Sequence, residues 1–258
     1  MYQEFVSRFK QGYRTIKFPE GKPPLLPPHF RGRLLFALDK CEAGCRICAE
    51  VCPVGAIDVE NKSLDMGKCL FCTDCMTACP REAISFSEDY RLAVRRREDL
   101  QVTAEQMEIR LATELDRRLK KLFGRSLKLR QVSAGGCNAC EADVNVLCTI
   151  GWDLGRFGIQ FVASPRHADG LLITGPVTKN MELALKKTWE AVPEPKIVIV
   201  VGACAIGGGP YRGHEQVNDG AGFLLPVDLY IPGCPPHPLT ILDGLLRLVG
   251  RIKGRQKK

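Results

Sequence analysis

The run Cys69-x2-Cys72-x2-Cys75-x3-Cys79-Pro80 constrains this chain more than any other feature, and Cys41-x3-Cys45-x2-Cys48-x3-Cys52-Pro53 repeats it with one extra residue in the first interval. Three cysteines so closely spaced wrap three corners of one 4Fe-4S cubane. The fourth, followed by a proline that cannot continue regular hydrogen bonding, reaches across to a second cubane. The spacing therefore assigns Cys41, Cys45, Cys48 and Cys79 to one cluster, and Cys69, Cys72, Cys75 and Cys52 to the other. A zinc site uses two cysteine pairs separated by a longer loop, which eight cysteines in two compact runs fit poorly. The repeat continues past the ligands, where Val54-Gly55-Ala56-Ile57 matches Arg81-Glu82-Ala83-Ile84, each expected to lead into a short strand.

Thirteen cysteines are an odd count for disulfides. The first twenty residues contain neither the apolar stretch of a secretory signal nor a twin-arginine pair ahead of one, so reduced thiols and a cytoplasmic setting are expected. Apolar runs such as 170–173 and 197–201 have the length of buried strands, and no membrane span by this chain is expected. The formal charge of +8 counts every thiol as neutral. Twelve thiolates and three oxidised cluster cores bring the loaded protein to about +2, which removes the main support for nucleic-acid binding.

Charge divides the chain into segments. Residues 1–38 carry seven Lys/Arg against two Asp/Glu, 39–89 five against ten, 90–130 twelve against six, and 131–258 thirteen against eleven. Residues 1–38, with Pro23-Pro24 and Pro27-Pro28, read as an extended basic arm that docks on a neighbour, or else as a poorly ordered terminus. Residues 39–89 form the cysteine-rich α+β module. Within 90–125, Thr103 and Gln106 have capping-box spacing and Met107, Leu111, Leu115, Leu119 and Leu122 follow at helical intervals, predicting a linking helix that ends at Gly124. From 126 to 258 short apolar runs (127–132, 159–163, 170–174, 197–201, 227–231) alternate with helical stretches (from about 138, near 181–191, and 238–249). That alternation predicts an α/β domain with a mostly parallel sheet covered on both faces.

Four further cysteines lie where loops should leave strand ends: Cys137 and Cys140 in GGCNACE, Cys204 in VVGACAIGGG and Cys234 in VDLYIPGCPP. Open parallel sheets bind ligands at the carboxyl ends of their strands, so these thiols suit one shared cluster, with neighbouring glycines letting backbone approach its sulfides. These three segments, with SPRHADGLLITGPVT at 164–178, resemble the small-subunit family shared by nickel-iron hydrogenases and the corresponding subunit of respiratory complex I, over about residues 126–250. The doubled run resembles a bacterial two-cluster ferredoxin, here fused ahead of a domain that usually lacks one.

The resemblance implies a flavodoxin-like fold. It also implies that Cys137, Cys140, Cys204 and Cys234 ligate the cluster nearest a partner large subunit's active site. Complex I has two adjacent cysteines at the first position, whereas Cys137-x2-Cys140 has the hydrogenase spacing; the chain looks most like the cytoplasmic, energy-converting and formate hydrogenlyase types. The expected function is that of a non-catalytic electron-transfer subunit. It would hold three 4Fe-4S clusters and relay electrons between a nickel-iron large subunit and the ferredoxin clusters. Its partners would be further iron-sulfur and membrane subunits, and it would sit peripherally at the cytoplasmic membrane through them. A second reading keeps the wiring but has a nickel-free, complex I-like large subunit acting on quinone; a third is a free-standing ferredoxin or cluster scaffold.

Cys148, eight residues after Cys140, is expected to be a small buried core thiol, since the four ligand positions are filled. Glu141 is read equally as a proton relay beside the cluster or as a complement to a helix N-terminus. Arg166 and His167 belong to the family motif and are expected at the large subunit or the cluster. Gly207-Gly208-Gly209 forms neither GxGxxG nor a phosphate loop, which argues against nucleotide binding. Anaerobic loading should give about twelve iron atoms per chain, at four per cluster. A value near eight would show that one of the three sites is misassigned, and iron content of a Cys204→Ala variant identifies which.

Overall fold

In the computed structural model, residues 2–42, 44–103, 109–124 and 126–252 are described. Helix α1 (Tyr2–Gln11) opens the chain and buries none of its residues. The cysteine-rich module follows as β1 (Leu34–Phe36), α2 (Ile47–Glu50), β2 (Ile57–Asp58), β3 (Ser63–Asp65), α3 (Asp74–Ala78) and β4 (Ile84–Phe86), with β5 (Gln101–Thr103) and α4 (Arg117–Phe123) in the linker. Each cysteine run thus passes through a short helix into a short strand, as the repeat predicts. Strands β1 and β4 pair antiparallel, and β2, β3 and β5 form a second antiparallel sheet.

The second module comprises β6 (Leu127–Ser133), α5 (Ala139–Val146), β7 (Ile159–Phe161), β8 (Gly170–Thr174), α6 (Lys179–Ala191), β9 (Ile197–Val201), α7 (Ala203–Gly207), β10 (Leu229–Ile231) and α8 (Pro238–Leu248). Its five strands are all parallel and ordered β10-β9-β8-β6-β7. Numbered within the module from the β7 edge this is 2-1-3-4-5, the doubly wound order of the flavodoxin type. Strands β8 and β9 are buried at every position, which explains their unbroken apolar sequences.

The linker joins the modules instead of merely spacing them. Val94 exchanges backbone hydrogen bonds with Tyr230 at 3.0 and 2.9 Å, closing the β10 edge of the sheet. One buried cluster runs from Leu34, Met66 and Phe71 of the first module to Val200 and Ile206 of the second. Tight contact recurs at Gly67, where a Cβ would come within 2.9 Å of the Ile206 side chain.

Two expectations change here. Among the described residues the linking helix is Arg117–Phe123; Thr103, the expected first position of the capping box, ends strand β5, and Gln106 and Met107 lie outside the described residues. Ahead of α4 the backbone bonds elsewhere: Ala112 N–H donates to Ala93 at 2.7 Å and Leu115 N–H to Leu248 at 2.9 Å. Asp116 then caps the helix, accepting from Arg118 and Leu119 N–H at 2.9 and 3.0 Å. Tertiary pairing has overridden local helical spacing. The arm, expected to be extended and to dock on a neighbour, begins with a helix and then turns onto the chain's own second module. Ile16 N–H donates to Gly151 at 2.9 Å, Arg156 donates to the Phe18 carbonyl at 2.7 Å, and Phe18 is buried.

Among the described residues no helix is long and apolar enough to cross a membrane. Helix α8 is buried along its whole length, starting with Pro238 behind His237, whose Nδ1 accepts from Leu239 N–H at 3.1 Å. Inside it, Arg247 Nε donates to Asp243 Oδ2 at 2.6 Å, and both side chains are almost wholly enclosed. Removing one partner strands the other charge. Arg247→Leu should therefore destabilise the protein by about 3–5 kcal/mol, whereas Arg247→Leu with Asp243→Leu should cost much less. Urea unfolding followed by far-UV circular dichroism checks this order.

Candidate iron-sulfur centres

The four cysteines of the second module occupy loops after β6, β9 and β10, at the carboxyl ends of the parallel strands. Cys137 precedes α5 and Cys140 lies in its first turn; Cys204 lies in the first turn of α7; Cys234 follows β10. Burial raises the Cys140 thiol, and Cys204, Glu141, Cys234 and Cys137 push it the same way. Cys204 is pushed up to about 11, by burial first and then by Cys234 and Cys137. These four thiols therefore face one another.

The backbone leaves room for sulfur where a side chain would not fit. Gly202, at φ +93°, approaches Cys140 so closely that a Cβ there would lie 2.5 Å from its Sγ. At Gly209, φ +56°, a Cβ would lie 2.6 Å from Cys204 Sγ. The glycine triplet after Cys204 thus turns the chain around that thiol.

In the first module, Cys52, Cys69, Cys72 and Cys75 line one small, mostly apolar cavity. Burial pushes the Cys69 thiol up to about 12 against the bond it accepts from Phe71 N–H, with Cys75, Cys52 and Cys72 adding to the rise. Cys75 is pushed up to about 11 by burial, then by Cys72 and Cys52. Cys52 thus lines the same cavity as the first three cysteines of the second run. Cys48 is raised by burial, and Cys41 and Cys45 add to it.

Cys79 and Cys52 are matched in their hydrogen bonding: each accepts from the backbone N–H four residues on, Ala83 and Ala56, at 3.3 Å. Arg81 also bridges from behind the second run to Glu42 in the first. The lengthened interval of the first run passes through Ala43, outside the described residues.

One local conformation serves two modules. Cys72-Thr73-Asp74-Cys75 and Cys137-Asn138-Ala139-Cys140 each place their second residue in the left-handed region, at φ +75° and +69°, and start a helix at the third. Asn adopts that region readily, but for β-branched Thr73 it costs about 1–3 kcal/mol, a strain that surrounding structure must hold. The two groups also approach each other. Burial raises the Cys234 thiol, and after Cys137 the further contribution comes from Cys72 of the other module.

The donor set and its crowding fit iron-sulfur clusters. Cluster ligands must be thiolates, and buried thiols that repel one another resist ionising unless a cationic core sits among them. Among the described residues no three His, Cys, Asp or Glu are gathered as one mononuclear metal ion requires.

Glu141 is buried and accepts from Ser133 Oγ and Thr174 Oγ1, both at 2.6 Å, so its carboxylate clasps the ends of β6 and β8. Sequence reading missed that clasp because it depends on which strands are neighbours. Cys148, expected in the core, is exposed instead, because α5 ends at Val146 before a full turn could carry it inward. Arg166 and His167 lie on the turn ahead of β8, at the amino end of the sheet, and not in the cysteine loops.

Residues 137–248 match the family described as NADH ubiquinone oxidoreductase, 20 Kd subunit. The probable membrane-bound hydrogenase subunit mbhJ of Pyrococcus furiosus is 42% identical over 140 residues, 53% of this chain and 84% of that protein. Formate hydrogenlyase subunit 7 of Escherichia coli is 42% identical over 135 residues, 52% of this chain and 53% of that one. An NADH-quinone oxidoreductase subunit of Citrifermentans bemidjiense is 46% identical over 117 residues, 45% and 68% of the two chains. Gly202→Ala should cost the loaded protein about four iron atoms and leave the remainder bound, as one cubane holds four. Cys148→Ser should leave iron content unchanged; colorimetric iron and sulfide assays measure both.

Proposed function

Because this chain belongs to the NADH ubiquinone oxidoreductase 20 kDa subunit family, we propose that it is the electron-transfer subunit of a membrane-associated nickel-iron hydrogenase complex of the formate hydrogenlyase or energy-converting type. The observation that carries this reading is that Cys234 of the second module and Phe71, next to Cys72 of the first, line one cavity, so the two sets of thiols lie on adjoining faces of the modules. Cys137, Cys140, Cys204 and Cys234 would hold the 4Fe-4S cluster facing the large subunit. Cys52, Cys69, Cys72 and Cys75 would hold the middle cluster, and Cys41, Cys45, Cys48 and Cys79 the outer one. The clusters supply one-electron steps at potentials set by burial, charge and hydrogen bonds to sulfur.

This chain's own residues perform that tuning. Phe71, Ala56 and Ala83 direct N–H groups at Cys69, Cys52 and Cys79, which favours added negative charge. Glu141, held beside Cys140 by Ser133 and Thr174, opposes it. Attachment to the cytoplasmic face of a membrane would come through partner subunits.

A second reading, a nickel-free large subunit acting on quinone, is favoured by the similarity to the NADH-quinone oxidoreductase relative. The Cys137-x2-Cys140 spacing favours the hydrogenase. In the purified complex, hydrogen should reduce all the clusters, seen by electron paramagnetic resonance, and in a Cys204→Ala complex it should leave the ferredoxin clusters oxidised. Clusters that hydrogen leaves untouched and quinol reduces would move the assignment to the second reading. A monomer with full iron and no large subunit would overturn both.

A further inference from the structure

Among the described residues, helix α1 is the element whose apolar side nothing in the chain covers. At 100° per residue, Tyr2, Phe5, Val6 and Phe9 fall on one side, Glu4, Ser7 and Gln11 on the opposite one, and Arg8 and Lys10 on the two flanks. Tyr2, Phe5 and Phe9 are 83%, 71% and 93% exposed. Three aromatic rings in one stripe are too many to leave in water without a purpose.

The chain is tethered just behind the helix. Gly12, at φ +63°, ends it, and Thr15 Oγ1 then donates to the Ile150 carbonyl at 3.0 Å, just ahead of the Ile16 to Gly151 bond. Ile150 is itself 70% exposed and Tyr13 64%. Exposed apolar side chains therefore lie both on the helix and at the loop to which the following chain is tethered.

We propose that α1, with Tyr13 and Ile150 beside it, is a foot that lies in the surface of an anionic lipid bilayer. Charge selects this occupant. Arg8 and Lys10 flank the aromatic stripe, within a segment of seven Lys/Arg and two Asp/Glu, and so complement acidic headgroups. Aromatic rings on one side with basic residues along its flanks are the composition of an interfacial helix. Ten residues rise about 15 Å, long enough to lie in the interface and too short to span. Direct lipid contact by this chain goes beyond attachment through partner subunits and brings the 150–156 loop of the second module to the membrane plane.

Flotation of the full loaded chain with vesicles tests it. Phosphatidylglycerol-containing vesicles should carry the protein upward and release it as salt rises, while pure phosphatidylcholine should carry little. Phe5→Glu with Phe9→Glu should weaken partition on the order of tenfold or more, with visible absorbance and elution volume unchanged because the helix buries nothing. Equal flotation of parent and variant would overturn the proposal, as would no flotation of either. So would a parent that ignores vesicles and a variant that sheds a subunit from the complex, which would put a protein on this face.

Discussion

Sulfur crowded out of water governs this molecule. A buried thiol resists ionising, and each thiolate placed beside it makes the next harder to form. Cys69, Cys75, Cys140 and Cys204 are all driven upward by burial first and by their cysteine neighbours after it. A fold would keep such groups only around a core of positive charge, so the arrangement makes sense as a set of ligands and not as disulfide partners or core thiols. Iron binding and folding would be coupled for the same reason, since a cluster would supply the positive charge that the cysteines lack.

The rest of the architecture serves to bring the groups together. A parallel sheet delivers three loops to the same end, and the reversal of strand order between β6 and β8 opens the crevice where Cys137 and Cys140 sit. Gly202 and Gly209 give up side chains so that backbone can approach sulfur. In the first module a doubled run places Cys52 among the cysteines of the second half. The linker seals the β10 edge through Val94 and Tyr230, so the two modules share one core, and Cys234 lines one cavity with Phe71. An electron path within a single chain needs that rigidity, because transfer falls away when centres drift apart.

Much of this was legible in the residues because the spacing of ligands and the periodicity of buried strands are local. The strands at 170–174 and 197–201 are evident as apolar runs, and the placing of Cys52 beside Cys69, Cys72 and Cys75 in one cavity accords with its place in the repeat. What stayed hidden depends on distant partners. The helical spacing in the linker gave way to pairing with Ala93 and Leu248, which no window of sequence contains. Cys148 shares a helical face with Cys140 on paper, yet the helix stops too early to use it. The prolines of the arm drew attention from the aromatic stripe ahead of them.

The claim on which the account rests is that thiols of both modules hold clusters close enough to sense one another. Electron paramagnetic resonance of the fully reduced, anaerobically prepared chain measures this directly. Neighbouring reduced clusters should give a broadened, interacting spectrum that relaxes faster than isolated centres. A plain sum of independent signals would contradict the series, and a colourless, zinc-containing protein would contradict the centres themselves.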